Sequence, residues 1–217
     1  MFHVARFTWL LLDQGRLRSS DGGPLRDADA LAALLAALCH DLEHPGTTNT
    51  LETATLSPLA LLYNDASVLE SHAASIGFEL LLRHNMLAAL PPQDVAPFRS
   101  MFLHAILQTD LAQHKRLVED ARARLRPCPP SPSSRQHAPP APAPFYSPED
   151  RRLAVAFVLH CADLHTGLLP PILSQRVACD LSSEFEAQAA AEAALGLKVT
   201  VRLGLIERAL PPAKRLG

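Results

Sequence analysis

The chain has 217 residues, 48% of them hydrophobic, and its 20 Lys and Arg against 22 Asp and Glu leave a formal charge of −2. That is enough apolar material for one globular domain with a substantial core, and it argues against a wholly disordered chain. Near-neutral charge without a basic stripe gives no polyanion-binding surface, so nucleic acid is not an expected partner.

The four cysteines, Cys39, Cys128, Cys161 and Cys179, are far apart and form no CxxC pair. Such spacing fits reduced thiols rather than a disulfide framework. The apolar run Phe7 to Leu12 falls far short of the roughly 20 residues that span a bilayer. A soluble chain in the cytoplasm, with no membrane segment, is the expectation.

Residues 3–13 are mostly apolar and read as a short helix, closed by Gly15 and by the Gly22-Gly23-Pro24 loop. Asp27 is placed to cap the next helix, in which Leu31, Leu34, Leu35 and Leu38 recur at helical spacing up to Cys39-His40-Asp41, with Pro45-Gly46 as the stop. Further helical stretches are expected at about 67–84 and about 94–125. Most leucines of 59–62 and 80–82 are read as core. From Pro127 to Pro148 nine prolines interleave with Ser and Ala, which deny backbone donors and side-chain volume, so this stretch reads as a flexible insertion. Helices resume at about 149–164 and about 172–195, the latter Ala-rich and of high intrinsic propensity. Strand alternation is nowhere convincing, and the expected fold class is all-α, a compact multi-helix bundle spanning 1–200 with a divergent tail at 201–217.

His40-Asp41-Leu42-Glu43-His44 brings two imidazoles and two carboxylates within about a turn of each other at a helix end. Imidazole and carboxylate together suit Zn²⁺, and a carboxylate shared with a harder ion suits Mg²⁺ or Mn²⁺. Alone, a His-Asp pair at a helix end is usually a cap or a solvated surface group.

The surrounding motifs add to this. Pro45-Gly46-Thr47-Thr48-Asn49 follows, then Ser57 to Asp65 (SPLALLYND), then Ser67-Val68-Leu69-Glu70-Ser71-His72. Later come Gln108-Thr109-Asp110-Leu111 with His114, His160-Cys161-Ala162-Asp163-Leu164, and Glu184-Phe185 with Gln188 and Glu192. In this order they closely resemble the signature of class I 3′,5′-cyclic-nucleotide phosphodiesterases, over about residues 3–200.

The resemblance implies an all-helical, two-metal hydrolase of the HD type that converts cAMP, cGMP or both into 5′-monophosphates in signalling. It implies a first metal, Zn²⁺, held by His3, His40, Asp41 and Asp163, and a second, Mg²⁺ or Mn²⁺, reached through Asp41. His44 and Asn49 resemble residues beside the phosphate. Glu70, Thr109, Asp110, His72 and His160 resemble groups that orient ligands, and Tyr63 is expected to pack beneath the site. Cyclic nucleotide is the implied substrate and a homodimer the oligomer to test.

The chain departs from the pattern in places. Ala73 replaces a histidine, and Thr166 and Gly167 replace an Asn and a Pro associated with the nucleobase. The histidine acting as general acid would precede Met1, and the purine-binding glutamine is not found. Truncation at both ends is therefore an expectation, with a non-catalytic regulatory or interaction domain as the alternative. Another HD-type hydrolase is disfavoured by the YND and SVLE stretches. Preference between cAMP and cGMP is not legible.

Overall fold

The computed structural model describes residues 2–124 and 147–200. Most of the Pro-rich stretch and all of the tail at 201–217 lie outside these residues. The chain divides into two compact units, one made of Met1–Glu43 and Glu70–Leu164, the other of His44–Leu69 and His165–Gly217. Among the described residues the regular structure is helical, with one isolated bridge between Arg18 and Leu25. No single helix among them is long and apolar enough to cross a membrane.

The first unit is organised around α2 (Asp27–Cys39), which packs against α1 (Phe2–Gln14), α6 (Pro92–Leu107) and α8 (Pro148–Asp163). Its residues explain the central position. The buried face is built mainly from Ala30, Ala32, Ala33, Ala36 and Ala37, with Leu35 and Cys39, whereas Leu31 is 37% exposed. Small side chains let three neighbouring helices approach one axis closely. The leucine stripe in the sequence marks the helix correctly, but most of its buried residues are alanines, with Leu34 and Leu38 partly buried against the core.

The larger apolar side chains come from the neighbours. Phe98, Phe102 and Ile106 of α6, Val155 and Leu159 of α8 and Leu12 of α1 are fully buried. Phe78, from α5 (Val68–Arg83), packs against Phe102 with ring centroids 5.9 Å apart. Gly77 lies so close to α2 that an added Cβ would come within 2.9 Å of the Cys39 Cβ.

Several helix boundaries follow local chemistry. Arg26, not Asp27, is the residue before α2, and its backbone N–H donates to the Asp29 carboxylate at 3.1 Å. Ser147 caps α8 by accepting from the Asp150 N–H, with Pro148 as first helical residue. Pro148 therefore belongs to the helix rather than to the insertion, because proline's fixed φ and missing donor suit that position.

The expected helix over 94–125 is broken. α6 ends at Leu107, and α7 (His114–Arg124) begins after a 3-10 turn at Leu111–Gln113. The Asp110 carboxylate accepts from the Ala112 N–H at 2.8 Å and starts the new turn. Hydrophobic periodicity bridges the break because it registers faces, while a short acidic side chain competes for backbone donors.

In the second unit, α3 (Asn49–Ala54) and α4 (Pro58–Tyr63) are short helices within a stretch for which no helix is expected from the sequence. Ser57 accepts from Ala60 N–H at 3.1 Å, Pro58 opens α4, and Asn64 ends it at φ 52°. Asp65 follows at φ 60°. Asn and Asp tolerate the left-handed region best among residues with side chains, which gives the Asn-Asp pair a backbone reason. Leu61 and Leu62 are 65% and 63% exposed, so the core expected at 59–62 reduces mainly to Ala60. In the first unit Leu81 is buried but Leu82 is not. The remaining helix, α9 (Pro171–Ala194), belongs to the second unit.

Asp29 is 2% exposed and is held by Arg26 Nη2 at 2.9 Å and Arg151 Nε at 3.0 Å, which fastens the start of α2 to the start of α8. Removing one member of a buried ion cluster strands the other charges. Asp29→Ala is expected to lower stability by about 3 kcal/mol, read as a smaller urea midpoint. Gly77→Ala is expected to lower it by about 1–3 kcal/mol through overpacking.

Candidate metal centre

Two helix ends build the site in the first unit. α2 stops at Cys39, with His40 as its C-cap, and α8 stops at Asp163. His40 is 3% exposed. Its Nδ1–H donates to the Ala37 carbonyl at 3.0 Å, which leaves Nε2 facing outward from α2. That nitrogen stands 3.0 Å from Asp41 Oδ2 and 3.2 Å from Asp163 Oδ1.

Two negative carboxylates thus meet at the carbonyl ends of two helices, where the helix dipoles add further negative potential. A cation is required there on electrostatic grounds. Without a metal the imidazole supplies it. Burial pushes the His40 pKa down, but hydrogen bonds to Asp163 and Asp41, with their negative charge, prevail and hold it up at about 10 from an ordinary 6.5.

The donor set fits a metal ion. One nitrogen and two carboxylate oxygens from His40, Asp41 and Asp163 all lie within 4.8 Å of one another. Ligands at about 2.1 Å from a Zn²⁺-type ion sit about 3.0–3.4 Å apart, which brackets both His40 separations. The Nδ1–H bond to a carbonyl is the outer-shell partner that fixes an imidazole for ligation through Nε2.

His3 lies exposed on α1 and is not part of the three-residue donor cluster. His72 Nε2–H donates to Glu43 Oε2 at 2.8 Å, across the turn in which Glu43 adopts φ 57°. Glu70 is half-buried near the start of α5. The Thr109 hydroxyl donates to the Ile106 carbonyl, and Asp110 caps the next turn. His160 is buried and pairs with His114 of α7, Nε2 to Nδ1, at 2.8 Å.

His44, Asn49 and Tyr63 belong to the second unit. His44 Nδ1 accepts from the Gly46 N–H at 3.1 Å, which leaves its Nε2–H as a donor. Asn49 Oδ1 accepts from Leu69 N–H at 2.9 Å, capping the start of α5. Tyr63 is the last residue of α4 and is half-buried.

Sequence reasoning attached no role to Gln188 and Glu192 beyond a motif, yet both are buried, and Gln188 is bonded both to the segment that carries Asn49 and to Glu192. A polar pair four residues apart on an Ala-rich helix is the signal that marks them.

The profile of the family described as 3′5′-cyclic nucleotide phosphodiesterase matches residues 1–212. The chain belongs to that family. It is 34% identical over 175 residues to the dual specificity calcium/calmodulin-dependent 3′,5′-cyclic nucleotide phosphodiesterase 1 of Drosophila melanogaster, covering 80% of this chain and 19% of that protein. Over 99 residues it is 37% identical to the high affinity cGMP-specific 3′,5′-cyclic phosphodiesterase 9A of Mus musculus, covering 45% of this chain and 18% of that one. The phosphodiesterase domain of a RhoPDE fusion protein from the choanoflagellate Salpingoeca rosetta superposes with a TM-score of 0.76 at 30% identity, covering 90% of this chain and 57% of that one. The chain spans about a fifth of the length of these curated relatives. Phosphodiesterases of this family are metal-dependent, and His40, Asp41 and Asp163 form the possible metal site.

The raised pKa of His40 has a definite sign. A folded-state value above the unfolded one stabilises the metal-free chain fully below about pH 6.5, and the contribution is lost as pH rises through about 10. In EDTA the melting temperature is expected to fall between pH 7 and 10, and less so in His40→Asn. Adding Zn²⁺ should offset the fall, since the metal takes the proton's place and binds more tightly as pH rises.

Proposed function

We propose that this phosphodiesterase-family chain hydrolyses the cyclic phosphodiester of 3′,5′-cyclic nucleotides, cAMP, cGMP or both, to 5′-monophosphates. The observation that carries the reading is the convergence of His40, Asp41 and Asp163 at two helix ends in a chain matched along nearly its whole length by this family.

His40, Asp41 and Asp163 would hold a first ion, Zn²⁺, with His3 as the fourth ligand carried over from the family. Asp41, half-exposed, would also reach a second ion, Mg²⁺ or Mn²⁺. When bound, such ions polarise phosphoryl oxygens and acidify water.

The chain's own residues do the rest. The Ala37 carbonyl accepts from His40 Nδ1–H, so Nε2 is the nitrogen that would give up its proton for ligation. His44, with Nε2–H outward, is assigned as a donor to a phosphate oxygen, and Asn49 as a residue of the same phosphate-side segment. Glu43 orients His72. The His114 to His160 bond anchors α7 near the Asp163 end of α8, so that the carboxylate is presented from a fixed helix terminus.

The test is conversion of cAMP and cGMP by the chain loaded with Zn²⁺ and Mn²⁺, followed by phosphorus NMR. Slow turnover is expected, about 10²–10⁴-fold below that of an enzyme with its general acid in place, and Asp41→Ala and Asp163→Ala should each reduce it by more than the about 10–100-fold that loss of an outer-shell partner costs. Both should also lose bound Zn²⁺ by elemental analysis. Metal binding without turnover would overturn the hydrolytic reading, and nucleotide binding without turnover would mark a regulatory domain. Failure to bind metal would remove the centre itself.

A further inference from the structure

α9 buries two of its residues, Gln188 and Glu192, at 3% and 1% exposure, and both are polar. Withdrawing a side-chain amide and a carboxylate from water costs free energy unless every polar atom is satisfied. Here they are. Gln188 Oε1 accepts from the Thr48 N–H at 2.9 Å, and Gln188 Nε2 donates to Thr48 Oγ1 at 3.0 Å, so one planar amide clasps Thr48 at two points. The same Nε2 faces Glu192 Oε1 at 2.9 Å and Thr200 Oγ1 at 3.2 Å. Thr200 closes the cluster, its N–H reaching Glu192 Oε2 at 2.7 Å and its hydroxyl reaching Glu192 Oε1 at 2.5 Å.

Glu192 determines which way round Gln188 sits. An ionised carboxylate only accepts, so it takes the NH₂ end of the amide and leaves the oxygen for the Thr48 N–H. The Thr200 hydroxyl, and after it the Thr200 N–H and Gln188, hold the Glu192 carboxyl below its usual range against the opposing effect of burial. The carboxylate therefore stays an acceptor at neutral pH.

The clasped residue is at the centre of a short segment in which each neighbour is engaged. Thr47 donates to Glu52, Thr48 Oγ1 caps α3 at Leu51 N–H, and Asn49 caps α5 at Leu69 N–H. Gly46 sits at φ 78°, the left-handed region that favours glycine, with the Glu184 side chain beside it at ordinary contact distance.

We propose that Gln188, oriented by Glu192 and Thr200, is a positioning residue that sets the Thr48–Asn49 backbone, and through it the placement of the His44–Asn49 segment for cyclic-nucleotide phosphate. The inference rests on the phosphate-side assignment of that segment given above. An amide clasp suits the task because two bonds in one plane fix both the position and the rotation of the Thr48 peptide, whereas apolar packing would leave it free to slide.

The test is native-state amide hydrogen exchange on the full chain, combined with steady-state kinetics on metal-loaded protein. Glu192→Gln keeps size but lets the Gln188 amide flip. Exchange at Thr48 and Leu69 should rise about fivefold or more, the scale of one lost hydrogen bond, while amides of α2 and α8 stay protected. The KM for cyclic nucleotide should rise by a similar factor with Zn²⁺ affinity unchanged. Thr200→Ser, which retains the hydroxyl, should restore the protection that Thr200→Val loses. Unchanged exchange at Thr48, a uniform rise across all helices, or a freed Thr48 with unaltered KM would each overturn the proposal. A wild-type chain that turns over neither nucleotide sinks the hydrolytic reading by itself, and the clasp then stands or falls on Thr48 exchange.

Discussion

The first unit depends on an imidazole held between two carboxylates. His40 closes α2 and Asp163 closes α8, so their 3.2 Å contact joins the carbonyl ends of two helices that would otherwise repel. Whichever cation occupies that point, a proton on Nε2 or a metal in its place, it offsets part of the negative potential of two side chains and two helix dipoles together. The same requirement that stabilises the junction gives it a donor set that fits a metal ion.

The rest of the unit keeps that junction in register. Asp29 and Arg151 meet at the beginnings of α2 and α8, and His40 and Asp163 meet at their ends, so the helices run in the same direction. The intervals, Asp29 to His40 and Arg151 to Asp163, differ by one residue, about 1.5 Å of helix rise. The alanine face of α2 makes this matching possible by letting α8 lie close along its length. Two polar pairs tie the ends, and between them small-residue packing sets the distance.

In the second unit order comes from polar side chains more than from apolar volume. Thr47, Thr48 and Asn49 each spend their side chain on a different partner, and the buried face of α9 is an amide and a carboxylate. Buried polar networks of this kind accept few alternatives, because a slipped register leaves donors unpaired. That rigidity suits a segment expected to meet a phosphate, where small displacements of a donor weaken the interaction it makes.

The all-helical class, the approximate span of most helices, the family and the His40, Asp41 and Asp163 donors were determined by the sequence itself. Helical period, Ser-Pro helix starts and the spacing of the His-Asp and Ala-Asp motifs are local properties that one strand of text carries. The break at Asp110, the helical character of 49–63, the exposure of Leu61 and Leu62 and the alanine contact face of α2 depended on what packs against what. So did the pairings of His72 with Glu43, His114 with His160 and Gln188 with Thr48, each joining residues 29 to 140 positions apart. Only the tertiary structure decides these, because a hydrogen bond between distant residues leaves no period in the chain. Its energy exists only once packing has brought both groups out of water.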